Sequence, residues 1–148
     1  MKIITVFVIL LAILYMCSST TIEAEDSGAV LDHIQGNNYN IYLLYFHQAT
    51  SIDEVTLEAN QDIEEDLEYL TTDNPDIQFF DINVQNPEFK TLIDTVEVPS
   101  TPCILLIVNG QGVWVYDGIS DLIVDRINDF LPQFKEASAH HTEPYKLE

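Results

Sequence analysis

The segment Ile41–Phe46 (IYLLYF) is a near-continuous run of β-prone apolar residues. A strand wetted on one face alternates apolar with polar side chains. A run without that alternation marks a strand buried on both faces, the habit of parallel and mixed sheets. From residue 51 to 70 the period changes: Val55, Ala59, Ile63, Leu67 and Leu70 recur at helical spacing, and Asn74-Pro75 stops the helix. Residues 77–84 (IQFFDINV) supply a second strand. Two strands joined through a crossover helix imply parallel pairing with a right-handed connection, so the fold class is α/β.

The other elements follow from punctuation. Residues 26–35 carry Val30, Leu31 and Ile34 and end before Gly36, which predicts a short helix. Asn86-Pro87 combines a cap with a first-turn proline for a helix through Ile93. Residues 103–108 (CILLIV) and 113–116 (VWVY) flank Asn109-Gly110, the strongest short hairpin signal, and predict an antiparallel pair. A last helix follows Asp117-Gly118, capped by Ser120, with Leu122, Ile123, Ile127, Phe130 and Leu131 as its buried stripe and Pro132 closing it. Residues 136–148 read as a flexible tail.

Met1-Lys2, the apolar run 3–16 and the small or hydroxylated residues 17–21 have the layout of a secretory signal peptide. Cleavage is expected after Ala24, with a second option near Ser19. The apolar run falls short of the roughly 20 residues of a spanning helix. The expected organisation is a signal over 1–24, one domain over 25–135 and the tail. Export to the ER lumen or the extracellular space, with no membrane attachment after signal removal, follows from that reading. Of the two cysteines, Cys17 would leave with the signal and Cys103 would stay without a disulfide partner. Twenty-five acidic residues against five basic ones argue against nucleic acid as a partner.

DINVQNPEF at 81–89 and VPSTPCILLIVNGQGVWVYDG at 98–118, in this element order, resemble the thioredoxin-like superfamily. The resemblance implies a thioredoxin-like fold: a central mixed sheet of four to five strands flanked by helices, with a cis-proline at Pro102. Set against the family's central strand and active-site loop, LLYFHQAT at 43–50 puts Ser51 and Glu54 where the two cysteines of CxxC belong. Tyr45 then occupies the place of the family's buried carboxylate. Disulfide exchange needs a thiolate to attack and a second thiol to resolve the mixed disulfide. The chain is therefore expected to be no enzyme but a redox-inactive relative, similar to protein disulfide isomerase-like domains of the secretory pathway. Ser51-Ile52-Asp53-Glu54 has the form of a capping box, which would start the helix at residue 51.

In this family the residue before the cis-proline pairs with extended peptide, which implies a contact surface at His47, Ser51, Ser100, Thr101 and Pro102. The expected partner is a protein or extended peptide client, in a chaperone-like or adaptor role. Two alternatives come from other classes. Glu54, Glu58, Asp62 and Glu65 line one helix face with no basic residue in the segment, and low-affinity Ca2+ binding, in composition similar to calsequestrin, would relieve their repulsion. Cys103 would serve as the reactive thiol of a single-cysteine oxidoreductase, helped by His47. No other cofactor is expected, for the four histidines show no zinc spacing with cysteine.

Overall fold

The computed structural model describes residues 20–50, 53–116 and 120–144. Ser51, Gly118 and the greater part of the expected signal therefore lie outside the described residues. In chain order the elements are β1 (Thr20–Thr21), α1 (Ser27–Ile34), β2 (Ile41–His47), α2 (Glu54–Asp73) and β3 (Ile77–Asn83). A 3-10 turn (Pro87–Phe89), α3 (Lys90–Val96), β4 (Cys103–Val108), β5 (Gln111–Val115) and α4 (Ser120–His140) follow among the described residues.

The strands form one mixed sheet in the order β1-β3-β2-β4-β5. β1 and β2 both run parallel to β3, whereas β4 is antiparallel to β2 and β5. Every residue of β2 is buried, as its unbroken apolar run requires. Its alternation distributes the core between two layers. Ile41, Leu43 and Tyr45 face Ile63 and Leu67 of α2 and Ile127, Leu131 and Phe134 of α4. Tyr42, Leu44 and Phe46 face the opposite way, with Phe80, Ile82, Cys103, Val30 of α1 and Leu92 of α3. Asn109 and Gly110 both have positive φ, at 47° and 73°, in the two-residue loop between Val108 and Gln111. Such a loop matches the right-handed twist of the strands it joins.

Ser27 ties the second layer together. Its hydroxyl donates to the Glu88 carbonyl at 2.7 Å and accepts from the buried Leu92 N–H at 3.0 Å, so α1 is fastened to the turn that starts α3.

Three expectations are corrected. Helix α2 begins at Glu54 rather than at residue 51, and its cap is Asp53, whose carboxylate accepts from Val55 N–H and from the Thr56 hydroxyl at 2.7 Å. A carboxylate at this end also meets the positive pole of the helix, an advantage a serine lacks. Helix α4 starts at Ser120 itself and passes Pro132 to reach His140, so residues 136–140 are helical rather than tail. A proline inside a helix costs roughly 3 kcal/mol. Continuing the helix buries Phe134 completely and Ala137 to 1 % exposure, while Pro132 itself is exposed. Burial of one large apolar side chain is worth about 1.5–3 kcal/mol, enough to offset much of the proline's cost. Strand β5 starts at Gln111, directly after the tight turn, rather than at Val113. Thr20 and Thr21, which fall within the expected signal, pair with Gln78 and Phe79, and Ile22 N–H donates to the Phe79 carbonyl at 2.8 Å.

Candidate functional site

The ends of β2 and β4 bring His47 and the turn at Ser100, Thr101 and Pro102 to one end of the sheet and then divide them, while Ser51 lies outside the described residues. Thr101-Pro102 is a cis peptide, as expected. Ser100 is exposed, and Thr101 and Pro102 are half-buried. The side-chain amide of Gln48 donates to the Thr101 hydroxyl at 3.3 Å, which seats this turn against the loop leading to α2. That loop is held by two polar residues at the end of β3 and just after it. Gln85 accepts from Thr50 N–H at 2.9 Å and donates to the Thr50 carbonyl at 2.7 Å, and Asn83 accepts from Ala49 N–H at 3.3 Å.

His47 is not part of that surface. Strand β2 runs one residue further than its apolar stretch, so His47 shares the face of Tyr45 and points toward α2, with only 7 % exposure. Its ring stacks on Tyr45 at 4.9 Å with an interplanar angle of 6°. Nε2 donates to Asp81 Oδ1 at 2.6 Å, and Nδ1 lies 3.9 Å from Glu64 Oε1. Among the described residues no hydrogen-bond partner reaches Nδ1.

Tyr45 is fully buried, and its hydroxyl donates to Asn60 Oδ1 at 3.3 Å. The Asn60 amide in turn donates to the Gln48 carbonyl at 3.0 Å, so a polar chain runs from the core to the Thr101 turn. Burial raises the Tyr45 phenol, and the neighbouring Glu64 and Asp81 raise it further, which keeps it neutral.

Cys103 faces the other layer. The thiol is fully buried among Phe46, Phe80 and Leu105, and burial pushes its pKa up to about 12 against a smaller lowering by a backbone hydrogen bond at Ser100. His47 and Cys103 therefore occupy opposite faces of the sheet, and the expected assistance of one by the other has no geometry to support it. Glu54, Glu58, Asp62 and Glu65 are all exposed. Among the described residues no three His, Cys, Asp or Glu side chains come together as a metal would require.

A cavity of about 230 Å³ opens between α2 and the β1–β3 edge, walled by Thr21, Tyr45, Leu67 and Phe79. Three carboxylates, Glu64, Glu68 and Asp81, also line it. No motif announces it. Asp81 and Glu64 stand 17 residues apart in sequence and meet because β3 returns parallel beside β2, placing Asp81 opposite Tyr45.

Strand order, the two-layered helices and the cis-proline turn define an α/β protein with a thioredoxin-like fold. No family model and no curated protein matches the sequence. Solved structures do match. Thioredoxin O2 from Arabidopsis thaliana superposes with a TM-score of 0.60 at 13 % identity over 78 % of this chain and 94 % of its own. Thioredoxin f from spinach chloroplast gives 0.58 at 16 % identity over 77 % and 88 %. Thioredoxin from Trypanosoma brucei brucei gives 0.55 at 10 % identity over 78 % and 93 %.

Proposed function

We propose that this chain is a redox-inactive thioredoxin-like module of the secretory pathway, similar to protein disulfide isomerase domains without the cysteine pair, which binds extended protein segments. The carrying observation is the state of its thiol chemistry. Residues 51 and 54 are serine and glutamate, and Cys103 is buried with its ionisation suppressed. A thiol that does not ionise near neutral pH and does not reach solvent supplies no attacking thiolate. What stays accessible is the turn at Ser100, Thr101 and Pro102, at the mouth of two strands where an extended segment has main chain to pair with.

The test combines two measurements on the exported protein. Reduction of insulin disulfides should stay at background, and an unfolded client protein should be retained on the immobilised domain. Thr101→Glu, which adds bulk and charge at the turn, should abolish retention without changing the unfolding midpoint by much. Turnover comparable to that of a dithiol thioredoxin sinks the reading, as does client retention untouched by Thr101→Glu.

A further inference from the structure

The first buried residue of α2 is polar. The stripe that α2 lays against the sheet runs through Ile63, Leu67 and Leu70, yet Asn60 stands at its head with only 5 % exposure. A buried amide is unfavourable unless its polar atoms are paired, and here both ends are used. Oδ1 accepts from the Tyr45 hydroxyl at 3.3 Å, and Nδ2 donates to the Gln48 carbonyl at 3.0 Å. One donor on one side and one acceptor on the other fix which way the amide faces.

Gln48 sits where β2 and β4 separate. Their ladder ends with Phe46 opposite Cys103. Continued one step, the register sets His47 opposite Pro102, which has no N–H to offer, so main-chain pairing stops there. A second step sets Gln48 opposite Thr101, and a side-chain bond takes the place of the ladder: the Gln48 amide donates to the Thr101 hydroxyl at 3.3 Å. Gln48 is exposed, and an exposed glutamine has many rotamers open to it. Its reach to Thr101 therefore depends on where its own main chain is held, and Asn60 holds it from inside the core.

Given the binding role proposed for the turn at Ser100, Thr101 and Pro102, on which this rests, we infer that Asn60 is the positioning residue of that turn. By gripping the Gln48 carbonyl it sets the point from which the Gln48 side chain meets Thr101, and so where the main chain of Thr101 is presented to an extended segment. Asn60 itself is buried and touches no client; it acts through Gln48. The loop has further anchors, Asn83 on Ala49 and Gln85 on Thr50. These fasten it to the end of β3 and keep it in place when Asn60 is changed, but they do not reach Thr101.

Asn60→Leu alone strands the Tyr45 hydroxyl in the core and lowers stability for that reason. Tyr45→Phe combined with Asn60→Leu exchanges both partners for apolar groups of similar shape, and this core pair should keep a denaturation midpoint near that of the unaltered protein. Gln48→Met, at an exposed position, removes the donor to Thr101 and leaves the core intact. Ile63→Val, one turn along the same stripe, lowers stability without touching Gln48. NMR should show the Thr101 amide resonance displaced in Asn60→Leu, in the core pair and in Gln48→Met, and unmoved in Ile63→Val. Retention of an unfolded client should weaken about fivefold in the core pair and in Gln48→Met, the scale of one hydrogen bond. Combining them should weaken it no further, because both cut the same chain. An amide that merely fills the core predicts instead a retention that follows the midpoint, Ile63→Val included. The inference is overturned if the Thr101 resonance stays in place in Asn60→Leu and the core pair, if Ile63→Val weakens retention as much as the core pair, or if the two effects multiply on combination. The NMR comparison needs no client. A displaced Thr101 resonance in a protein that retains no client sinks the binding role of the turn and leaves its positioning by Asn60 standing.

Discussion

At Cys103 the main chain and the side chain part company: the backbone continues the accessible turn at 100–102, while the first residue of β4 sends its sulfur into the layer beneath α1 and α3. The single-cysteine alternative requires a thiol at the surface, and strand alternation buries it instead, as the start of a buried strand leads one to expect. His47 follows the same rule in reverse. Counting from Leu43 and Tyr45 in steps of two places His47 on the α2 face, a result legible in the sequence once β2 is allowed to reach residue 47. Its hydrogen-bond partner Asp81 and its neighbour Glu64 were not legible, because nothing local marks which acidic residues a parallel strand and its crossover helix will bring beside it. The buried thiol has a consequence for pH. The Cys103 pKa rises in the folded state from 9.0 to about 12, so folding favours the protonated form. The associated stability is intact below pH 9 and is lost as pH climbs toward 12, with Tyr45 acting in the same direction. Urea midpoints measured against pH should fall over that window, and Cys103→Ala should flatten part of the fall. In the native state at neutral pH the thiol should resist alkylation until denaturant is added. Rapid native labelling would place the sulfur at the surface and return the single-cysteine reaction to contention.

Among the elements, β2, β4 and the tight turn after Val108 were readable because a continuous apolar run and an Asn-Gly pair are local signals. The helix ends were harder, since each depends on which of several neighbouring groups wins. Ser51 and Asp53 are both acceptable caps in sequence, and Asp53 takes the position with its carboxylate on Val55 and Thr56. Pro132 carries a local stop signal that the burial of Phe134 and Ala137 overrides. The last turns of α4 are thus structural, and the ring of His141 stacks on Tyr39 at 4.7 Å to hold their end. Removing residues 136–148 should therefore lower stability by about 1–2 kcal/mol, the scale of one lost buried contact and an aromatic stack. Removing residues 145–148 serves as the control. Equal denaturation midpoints for the two truncations would show that the helix beyond Lys135 contributes nothing.

At the scale of the whole molecule the short strand β1 joins three otherwise separate readings: the end of the expected signal, the edge of the sheet and the acidic cavity. Thr20 and Thr21 extend the sheet beyond β3, Ile22 and Ala24 pack on the second layer of the core, and Thr21 walls the cavity. A signal removed after Ala24 would take all of this away and leave β3 as an uncovered edge rich in apolar residues, the kind of edge that invites pairing with other chains. Removal near Ser19 retains it, and Cys17 and Ser19 are the small residues that such processing prefers. The mature protein is therefore expected to begin at Thr20. Intact-mass analysis of the protein exported from a eukaryotic host decides between the two ends. A chain engineered to begin at Glu25 should unfold at lower denaturant, since it lacks the β1 pairing and the packing of Ile22 and Ala24. If the exported protein begins at Glu25 and remains monomeric with an unchanged midpoint, β1 has no place in the mature fold, and the cavity must be sought without its Thr21 wall.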